Sequence, residues 1–277
     1  MSSNRAMCKI RSMLGAKTGY VGTLDPFAQG MLPIAVGEAR KFISFVNDDV
    51  KQYSFSIKFG EETDTLDRCG RVIKGGGSIP SDAVLFDAAK SFIGEIEQIP
   101  PVFSAINING QRAYRLAMKG VDDVEMPSRR VHIYSLDYLG ERRFSCVCSK
   151  GTYIRSLIRD ICHSLDTLGY AEYLRREKIS FLDCNNAKTM EMIEESVYNL
   201  SVEDLLLPIE SALDDISAVT LGDEHIRRLQ NGLFRITSSN FVNGKVYQVY
   251  RESDNRFCGL VEAYEDCKLR PIRMINF

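Results

Sequence analysis

One aspartate in this sequence has neighbours that would suit a catalytic carboxylate. Asp25 lies directly before Pro26, in a stretch that includes Gly22 and Gly30. Proline fixes its own backbone and disfavours the helical region for the preceding residue, so Asp25 is predicted to lie at the tip of a tight loop. A carboxylate held there among apolar neighbours suits a nucleophile or a general base. An ordinary Asp-Pro turn, in which the aspartate caps its own backbone, gives the same spacing and is the commoner explanation of it.

The residues around Asp25 resemble a known family. The stretch reads Gly22-Thr-Leu-Asp25-Pro-x-Ala-x-Gly30-x-Leu-Pro-x-x-x-Gly37-Glu-Ala-x-Lys41, a long ungapped match to the catalytic motif of the TruB family of tRNA pseudouridine-55 synthases. Two more stretches are similar to the family, Gly94-x-Ile-x-Gln98-Ile-Pro-Pro-x-x-Ser104-Ala and Ser149-x-Gly-Thr-Tyr-Ile-Arg155. The resemblance implies that the protein isomerises uridine 55 in the T loop of tRNA to pseudouridine, with Asp25 as the catalytic carboxylate on a flipped-out base.

The resemblance also implies roles for other side chains. Arg155 is predicted to orient Asp25, because a guanidinium can bind a carboxylate in bidentate fashion and lysine cannot. The predicted substrate-binding residues are Tyr20, Tyr53, Tyr153 and Leu174. Tyr20 stands where bacterial members usually have a histidine that pushes into the RNA, and a tyrosine can stack on a base there. Without the resemblance, core packing would explain Tyr53, and Tyr153 and Arg155 would simply open a helix.

A basic segment is predicted to contact the RNA backbone. It carries Arg112, Arg115 and Lys119, and the resemblance places it in an insertion of about residues 100–128 that grips the T loop. A solvated basic helix is the alternative. The acidic residues between Gly60 and Asp67 are interpreted as turn formers rather than catalysts.

Composition agrees with a soluble globular protein. The net charge is −2, but residues 189–225 contain ten acidic and no basic residues, so the remainder has 35 basic against 27 acidic residues. Such a basic body is compatible with phosphate binding on one face, and equally with an acidic helix that is merely solvated. No apolar run is long enough to span a membrane, and Cys146 and Cys148 lack the second pair that a zinc site needs. We therefore expect a cytoplasmic protein with reduced thiols, no metal and no membrane contact.

The resemblance implies an α+β fold, a pseudouridine-synthase-like catalytic domain around a mixed or antiparallel sheet, with a small, PUA-like C-terminal β domain. The catalytic domain is expected over 1–204 and the C-terminal domain over 205–277. Ser3 is predicted to cap a first helix that ends at Gly15, and Met31 to Val36 to form a buried strand. Val84, Leu85, Ala88 and Phe92 are expected on the inner face of a second helix. Further helices are predicted at 38–46, 112–119, 153–165 and 222–232. Strands are predicted at 51–59, 129–137, 144–149, 170–179, 246–250 and 257–261.

The family pattern places a β-strand and a Lys-Pro-x-Gly turn before the first helix, and the sequence begins at the end of that turn. We therefore expect a central sheet that lacks one strand and exposes an edge. Two alternatives to the tRNA synthase remain open at this point. One is a non-catalytic RNA-binding protein or tRNA-folding chaperone of the same fold, and the other is a synthase for a different RNA. The reaction requires no cofactor, and no protein partner is implied, so a monomer that binds the T stem-loop of tRNA is expected.

Overall fold

The computed structural model describes residues 1–119, 125–232, 241–265 and 268–275. Its α-helices are α1 (Ser3–Leu14), α2 (Asp82–Ser91), α3 (Ala113–Met118), α4 (Ile154–Ser164), α5 (Met190–Tyr198) and α6 (Asp223–Gln230). The first strands are β1 (Thr18–Tyr20), β2 (Gln29–Gly30), β3 (Ile34–Val36), β4 (Val50–Phe59), β5 (Glu61–Thr63), β6 (Val72–Gly75), β7 (Gly94–Gln98), β8 (Asn107–Ile108) and β9 (Gln111–Arg112). The later strands are β10 (Arg129–Gly140), β11 (Arg143–Ser149), β12 (Gly169–Ile179), β13 (Leu182–Asp183), β14 (Ala218–Leu221), β15 (Val246–Arg251), β16 (Phe257–Tyr264) and β17 (Lys268–Met274). Short 3-10 helices cover Gly37–Phe45, Cys184–Asn186, Val202–Leu205 and Ile209–Ala212.

The first compact unit consists of residues 1–5, 22–33 and 48–187. Within its described residues, one sheet has the strand order β13, β12, β4, β11, β10, β7, and β2 pairs with β12. The neighbours in this order are antiparallel, whereas β2 runs parallel to β12. Helix α2 packs against β10 and α4 against β12. This mixed sheet with helices against it confirms the predicted α+β class.

Alternation along β4 explains how the sheet forms its core. Phe55, Ile57 and Phe59 are buried in one hydrophobic cluster, as the period of two predicts for a half-buried strand. Cys146 and Cys148 on β11 lie in the same cluster, so both side chains point to the same face of the sheet. Helix α4 covers this face with buried residues three or four positions apart, namely Ile154, Leu157, Ile158 and Ile161. The packing of α4 against the sheet fixes β4, β12 and α4 relative to one another.

The second compact unit consists of residues 6–21, 34–47 and 188–277, apart from its undescribed segments. Strands β14, β15, β16 and β17 form a four-stranded sheet in that order, and β14 runs parallel to β15. Ile226 and Leu229 of α6 are buried in the hydrophobic cluster of this sheet. The predicted strands at 246–250 and 257–261 are therefore confirmed. Residues 6–21, 34–47 and 188–204 lie in this unit, and the predicted domain boundary after residue 204 stays a prediction.

The structure corrects some local predictions. Val84 is 43% exposed, and α2 buries Ala89 beside Leu85 and Ala88, so the inner face is rotated relative to the predicted one. The strand predicted from Met31 onward is limited to Ile34–Val36 and is only half-buried. The reason for the shorter strand is that the backbone of Met31 bonds to a different element, as described below. No helix in the described parts of the chain is long and apolar enough to cross a membrane.

Candidate active site

The segment of residues 22–31, called the Asp25 loop below, is fixed at its N-terminal side by α1. The hydroxyl of Ser3 accepts a hydrogen bond from the backbone N–H of Leu24 at 2.9 Å and donates to its carbonyl at 3.2 Å. Ser3 is therefore not the helix cap that the sequence predicted. The hydroxyl of Ser2 instead accepts the backbone N–H of Arg5 at 3.3 Å. Ser2 thus caps α1, and Ser3 in the first turn of α1 holds the loop at Leu24, the residue before Asp25.

A buried arginine on β12 fixes the two ends of the Asp25 loop. Arg176 is 1% exposed, and its Nε and Nη2 donate to the carbonyl of Met31 at 2.9 and 2.7 Å. Nη2 also donates to the carbonyl of Gly22 at 2.9 Å. The backbone N–H of Met31 donates in turn to the carbonyl of Arg176 at 2.9 Å. Gly30 must be glycine here, since its φ is +95° and a Cβ would lie 2.2 Å from the Arg176 carbonyl oxygen.

Asp25 and Arg155 form a bidentate ion pair at the tip of this loop. The Nε of Arg155 donates to Oδ2 of Asp25 and Nη2 donates to Oδ1, both at 2.8 Å. The Arg155 side chain is 3% exposed, whereas 28% of the Asp25 side chain remains accessible. Two parallel charge-assisted hydrogen bonds fix the orientation of the carboxylate, while its exposed part is free to meet a substrate.

The Arg155 guanidinium has further contacts besides Asp25. Its Nη1 donates to the carbonyl of Thr65 at 2.8 Å and Nη2 to that of Phe103 at 3.1 Å. Oδ2 of Asp67 lies 3.6 Å from Nη1. Oδ1 of Asp67 accepts the Thr65 hydroxyl and the Cys69 backbone N–H, both at 2.9 Å. Asp67 therefore does form a turn, as predicted, and it also faces the guanidinium that holds Asp25.

Tyr53 and Leu174 lie on neighbouring strands of the sheet that supports this ion pair. Leu174 is 4% exposed and is paired in register with Phe55, two residues from Tyr53 on β4. Burial raises the pKa of Tyr53 to about 12, and a hydrogen bond from the Arg176 side chain opposes that shift. The phenol is therefore neutral near pH 7, and Arg176 connects it to the loop that carries Asp25.

Tyr153 directly precedes α4, two residues before Arg155. Its backbone N–H donates to Oε1 of Gln98 at 2.8 Å, and its carbonyl accepts from Nε2 of the same side chain at 3.1 Å. The Ser156 hydroxyl and the Arg159 Nη2 both donate to the carbonyl of Ile99, at 2.8 and 3.0 Å. The segment after β7 is thus bonded along the first turns of α4. It fixes the point from which Arg155 extends.

The chemistry available at this site is that of one oriented carboxylate. Asp25 is held by a guanidinium rather than by a histidine or a second acidic side chain, so the arrangement suits nucleophilic or general-base catalysis by a carboxylate. Within the described residues, no group of three or more His, Cys, Asp or Glu side chains is arranged to hold a metal ion.

Comparison with known proteins identifies the family. The model of the TruB family pseudouridylate synthase N-terminal domain matches residues 6–154. The chain belongs to the TruB family. The tRNA pseudouridine synthase B of Caulobacter vibrioides is 40% identical over 84% of this chain and 76% of its own length. The proteins of the same name from Rhodospirillum rubrum and Clostridium kluyveri are 37% and 35% identical, covering 96% and 94% of this chain and 89% and 91% of theirs.

Solved structures show the same fold at lower identity. A chain of the Cbf5–Nop10–Gar1 complex matches with a TM-score of 0.70 and 20% identity, over 100% of this chain and 81% of that chain. A chain of an H/ACA RNP bound to a substrate RNA containing 2′-deoxyuridine matches with a TM-score of 0.70 and 19% identity, over the same shares. The predicted membership of the TruB family, and with it the class of pseudouridine-forming isomerases, is confirmed.

The other predicted residues of this TruB-family enzyme are Tyr20 and three basic residues of the predicted insertion. Tyr20 is half-buried on β1 in the second compact unit. Arg112, Arg115 and Lys119 are exposed at and around α3. Nη1 of Arg112 donates to the carbonyl of Ala105 at 2.5 Å, and Nε of Arg115 donates to the hydroxyl of the neighbouring Tyr114 at 3.2 Å. Residues 120–124 of the predicted insertion lie outside the described residues.

Sequence reasoning missed Arg176, Asp67 and Gln98 as parts of this TruB-family site. Arg176 had one signal, since two adjacent arginines in a strand place one of them on the buried face. Gln98 stood within a matched motif, but nothing in that motif predicted its contact with the backbone of Tyr153.

We expect the Arg176→Met variant to be destabilised by about 3 kcal/mol, because it leaves the carbonyls of Gly22 and Met31 buried without their donors. Urea unfolding measures this loss. Arg175→Met is the matched control, since the Arg175 side chain is 40% exposed and contacts Glu177 and Cys184 instead. A loss below about 1 kcal/mol for both variants would show that Arg176 does not hold the loop.

Proposed function

We propose that this enzyme converts uridine 55 in the T loop of tRNA to pseudouridine, with Asp25 as the catalytic carboxylate. The observation that carries the proposal is the bidentate pair with Arg155, which orients a carboxylate whose side chain is 28% exposed. The curated relatives bear the name tRNA pseudouridine synthase B, and that name supports tRNA as the substrate class.

The reaction is an isomerisation. The bond between N1 of the uracil and C1′ of the ribose breaks, the base turns, and a bond forms between C5 and C1′. A proton leaves C5 and a proton is gained at N1, so neither a redox equivalent nor an external group is consumed, and we propose that no cofactor takes part. The base must leave the RNA stack before Asp25 can reach it. The side chain that reaches it is Asp25, which the bidentate pair with Arg155 holds in one orientation.

The residues around Asp25 supply a pocket for the extruded base. Tyr53 presents a neutral aromatic ring, which stacks on uracil without a charge. Leu174 contributes an apolar side chain to the same sheet surface, and Tyr153 shapes the pocket from the start of α4. Tyr20 stacks on a neighbouring base of the T loop. In this proposal the protein acts as a cytoplasmic monomer on the T stem-loop of tRNA. Residues 1–204 form its catalytic domain and residues 205–277 its C-terminal domain.

The experiment that tests the function is pseudouridine formation in an unmodified tRNA transcript, mapped by position. Conversion of uridine 55 alone is the expected result, and a transcript with cytidine at that position is expected to gain no pseudouridine. Conversion of another uridine, or of a different RNA only, would overturn the proposed substrate. Tight binding of the transcript without any conversion would instead favour a tRNA-folding chaperone.

The basic residues at and around α3, namely Arg112, Arg115 and Lys119, are proposed to contact phosphates of the tRNA, and this gives a separate prediction. We expect the double variant Arg115→Gln, Lys119→Gln to bind tRNA more weakly, with the slope of log K against log salt reduced by about 0.7–0.9 for each phosphate contact that is lost. Arg112 is left unchanged because it also bonds the Ala105 carbonyl. Filter binding between 50 and 200 mM salt, about the range over which phosphate contacts have large effects, measures the slope.

The matched control for this double variant is Lys90→Gln, since the Lys90 side chain is 57% exposed on α2 and pairs with Asp87. The control is expected to keep the parent's salt slope. A double variant with the parent's slope would show that Arg115 and Lys119 belong to a solvated helix and make no contact with the RNA.

A further inference from the structure

The arginine that begins β10 lies over the aromatic ring of Tyr153. The Cζ atom of Arg129 is 4.6 Å from the ring centroid. A guanidinium at this distance from an aromatic face is attracted by the negative charge of the ring face. Arg129 therefore has a direct physical means of holding the Tyr153 ring in one orientation.

Arg129 is also the strand partner of the residue that holds the Tyr153 backbone. In the antiparallel pair of β7 and β10, Arg129 is directly opposite Gln98. Gln98 is fully buried, and its amide bonds both the N–H and the carbonyl of Tyr153. One pair of opposed residues in the sheet thus contacts Tyr153 twice, at the backbone through Gln98 and at the ring through Arg129.

The surroundings of the Arg129 guanidinium show what holds it. Its Nε and Nη2 atoms are buried and, within the described parts of the chain, have no hydrogen-bond acceptor. Gly151 has a φ of +86°, and a Cβ there would lie 3.3 Å from Nη1 of Arg129, so glycine leaves room for the guanidinium beside the turn. Burying a guanidinium without an acceptor is costly, and the Tyr153 ring is the contact that offsets part of this cost.

We propose that Gln98 and Arg129 form a socket for Tyr153, in which Arg129 is a positioning residue that acts on the reaction through the Tyr153 ring. The inference rests on the proposed function, in which Tyr153 shapes the uracil pocket. Within the socket, Arg129 fixes the Tyr153 ring and Gln98 fixes the start of α4, from which Arg155 reaches Asp25. Its predicted effect is on the rate of isomerisation and not on the affinity for RNA.

The test is a double-mutant cycle of Arg129→Met with Tyr153→Phe and Tyr153→Leu, measured as single-turnover rates on the tRNA transcript. Arg129→Met is expected to slow the reaction about 3- to 10-fold in the parent and in the Tyr153→Phe background, where a ring remains. In the Tyr153→Leu background it is expected to change the rate less than about twofold. Arg130→Met is the matched control, since the Arg130 side chain is 79% exposed and pairs with Glu95.

A second measurement separates the socket from direct RNA contact. In the Asp25→Asn background, Arg129→Met is expected to leave the salt slope of tRNA binding unchanged, whereas loss of a phosphate contact would reduce that slope by about 0.7–0.9. A reduced slope, or an equal loss of rate in the Tyr153→Leu background, would overturn the proposal.

Failure of the proposed function is recognised separately from failure of the socket. If the parent converts no uridine of the transcript, the function has failed, and the cycle is then measured by thermal unfolding. The socket predicts that Arg129→Met lowers Tm by at least about 2 °C more in the Tyr153→Phe background than in the Tyr153→Leu background. Equal losses of Tm in both backgrounds would show that Arg129 does not act on the ring.

Discussion

The Asp25→Asn variant is expected to bind tRNA like the parent and to form pseudouridine at least about 10⁴-fold more slowly. The asparagine oxygen can accept one hydrogen bond from Arg155, but the amide nitrogen cannot accept the second, and the side chain is a poor nucleophile and base. The fold should persist, because Arg155 keeps its contacts with the Thr65 and Phe103 carbonyls and with Asp67. Single-turnover rates and filter binding on the same tRNA transcript measure the two quantities.

Asp160→Asn is the matched control for this loss. The Asp160 side chain is 27% exposed and pairs with Arg159 at 2.8 Å, so it resembles Asp25 in both exposure and arginine contact. Asp160 lies on α4 five positions after Arg155. The Asp160→Asn variant is expected to react within about threefold of the parent. A rate for Asp25→Asn within tenfold of the parent would mean that another group carries out the chemistry.

The pairing of Asp25 with Arg155 could be predicted from the sequence because both residues lie in contiguous motifs. Asp25 and Arg155 are 130 positions apart, yet each lies in a matched stretch, and the structure places them within bidentate hydrogen-bonding distance. Periodicity was likewise sufficient for the main strands and for α4, since alternation and a three-to-four spacing reflect burial directly. The turn between β8 and β9 was also predictable, because Asn-Gly is a favoured pair in two-residue hairpin turns. In the structure both Asn109 and Gly110 have the positive φ that such a turn requires.

The support of the site could not be predicted in the same way. Arg176 and Gln98 bind backbone carbonyls and amides, which every residue possesses, so their partners leave no pattern in the sequence. Ser3 illustrates the difficulty, since a serine at a helix start is usually a cap, yet its hydroxyl binds Leu24, 21 positions away. The inner face of α2 was predicted one position out of phase at Val84, because the packing of a helix against a sheet, rather than its propensity, decides which face is buried.

Removal of Arg155 is expected to have the largest effect on both stability and activity. Arg155→Met keeps the length of the side chain but leaves Asp67, which is 7% exposed, without its ion-pair partner and two backbone carbonyls without their donor. Breaking a buried ion pair by removing one partner costs about 3–5 kcal/mol, which urea unfolding should detect. The pseudouridine-forming rate should fall at least about 10³-fold, because Asp25 loses both bonds that orient it. The control is Arg159→Met on the next turn of α4, where the side chain is 19% exposed and its guanidinium bonds the Ile99 carbonyl and Asp160.

Arg155→Lys separates the charge of this residue from its geometry. The ammonium of lysine restores a positive charge near Asp25 and Asp67, so the loss of stability should shrink to about 1–2 kcal/mol. A single nitrogen cannot bind both oxygens of Asp25 and the Thr65 and Phe103 carbonyls at once, so the rate should remain about 10²-fold or more below that of the parent. Recovery of stability without recovery of rate would show that Arg155 acts by orienting the carboxylate. Recovery of both would mean that its charge is sufficient, and that the bidentate geometry is not needed for the reaction.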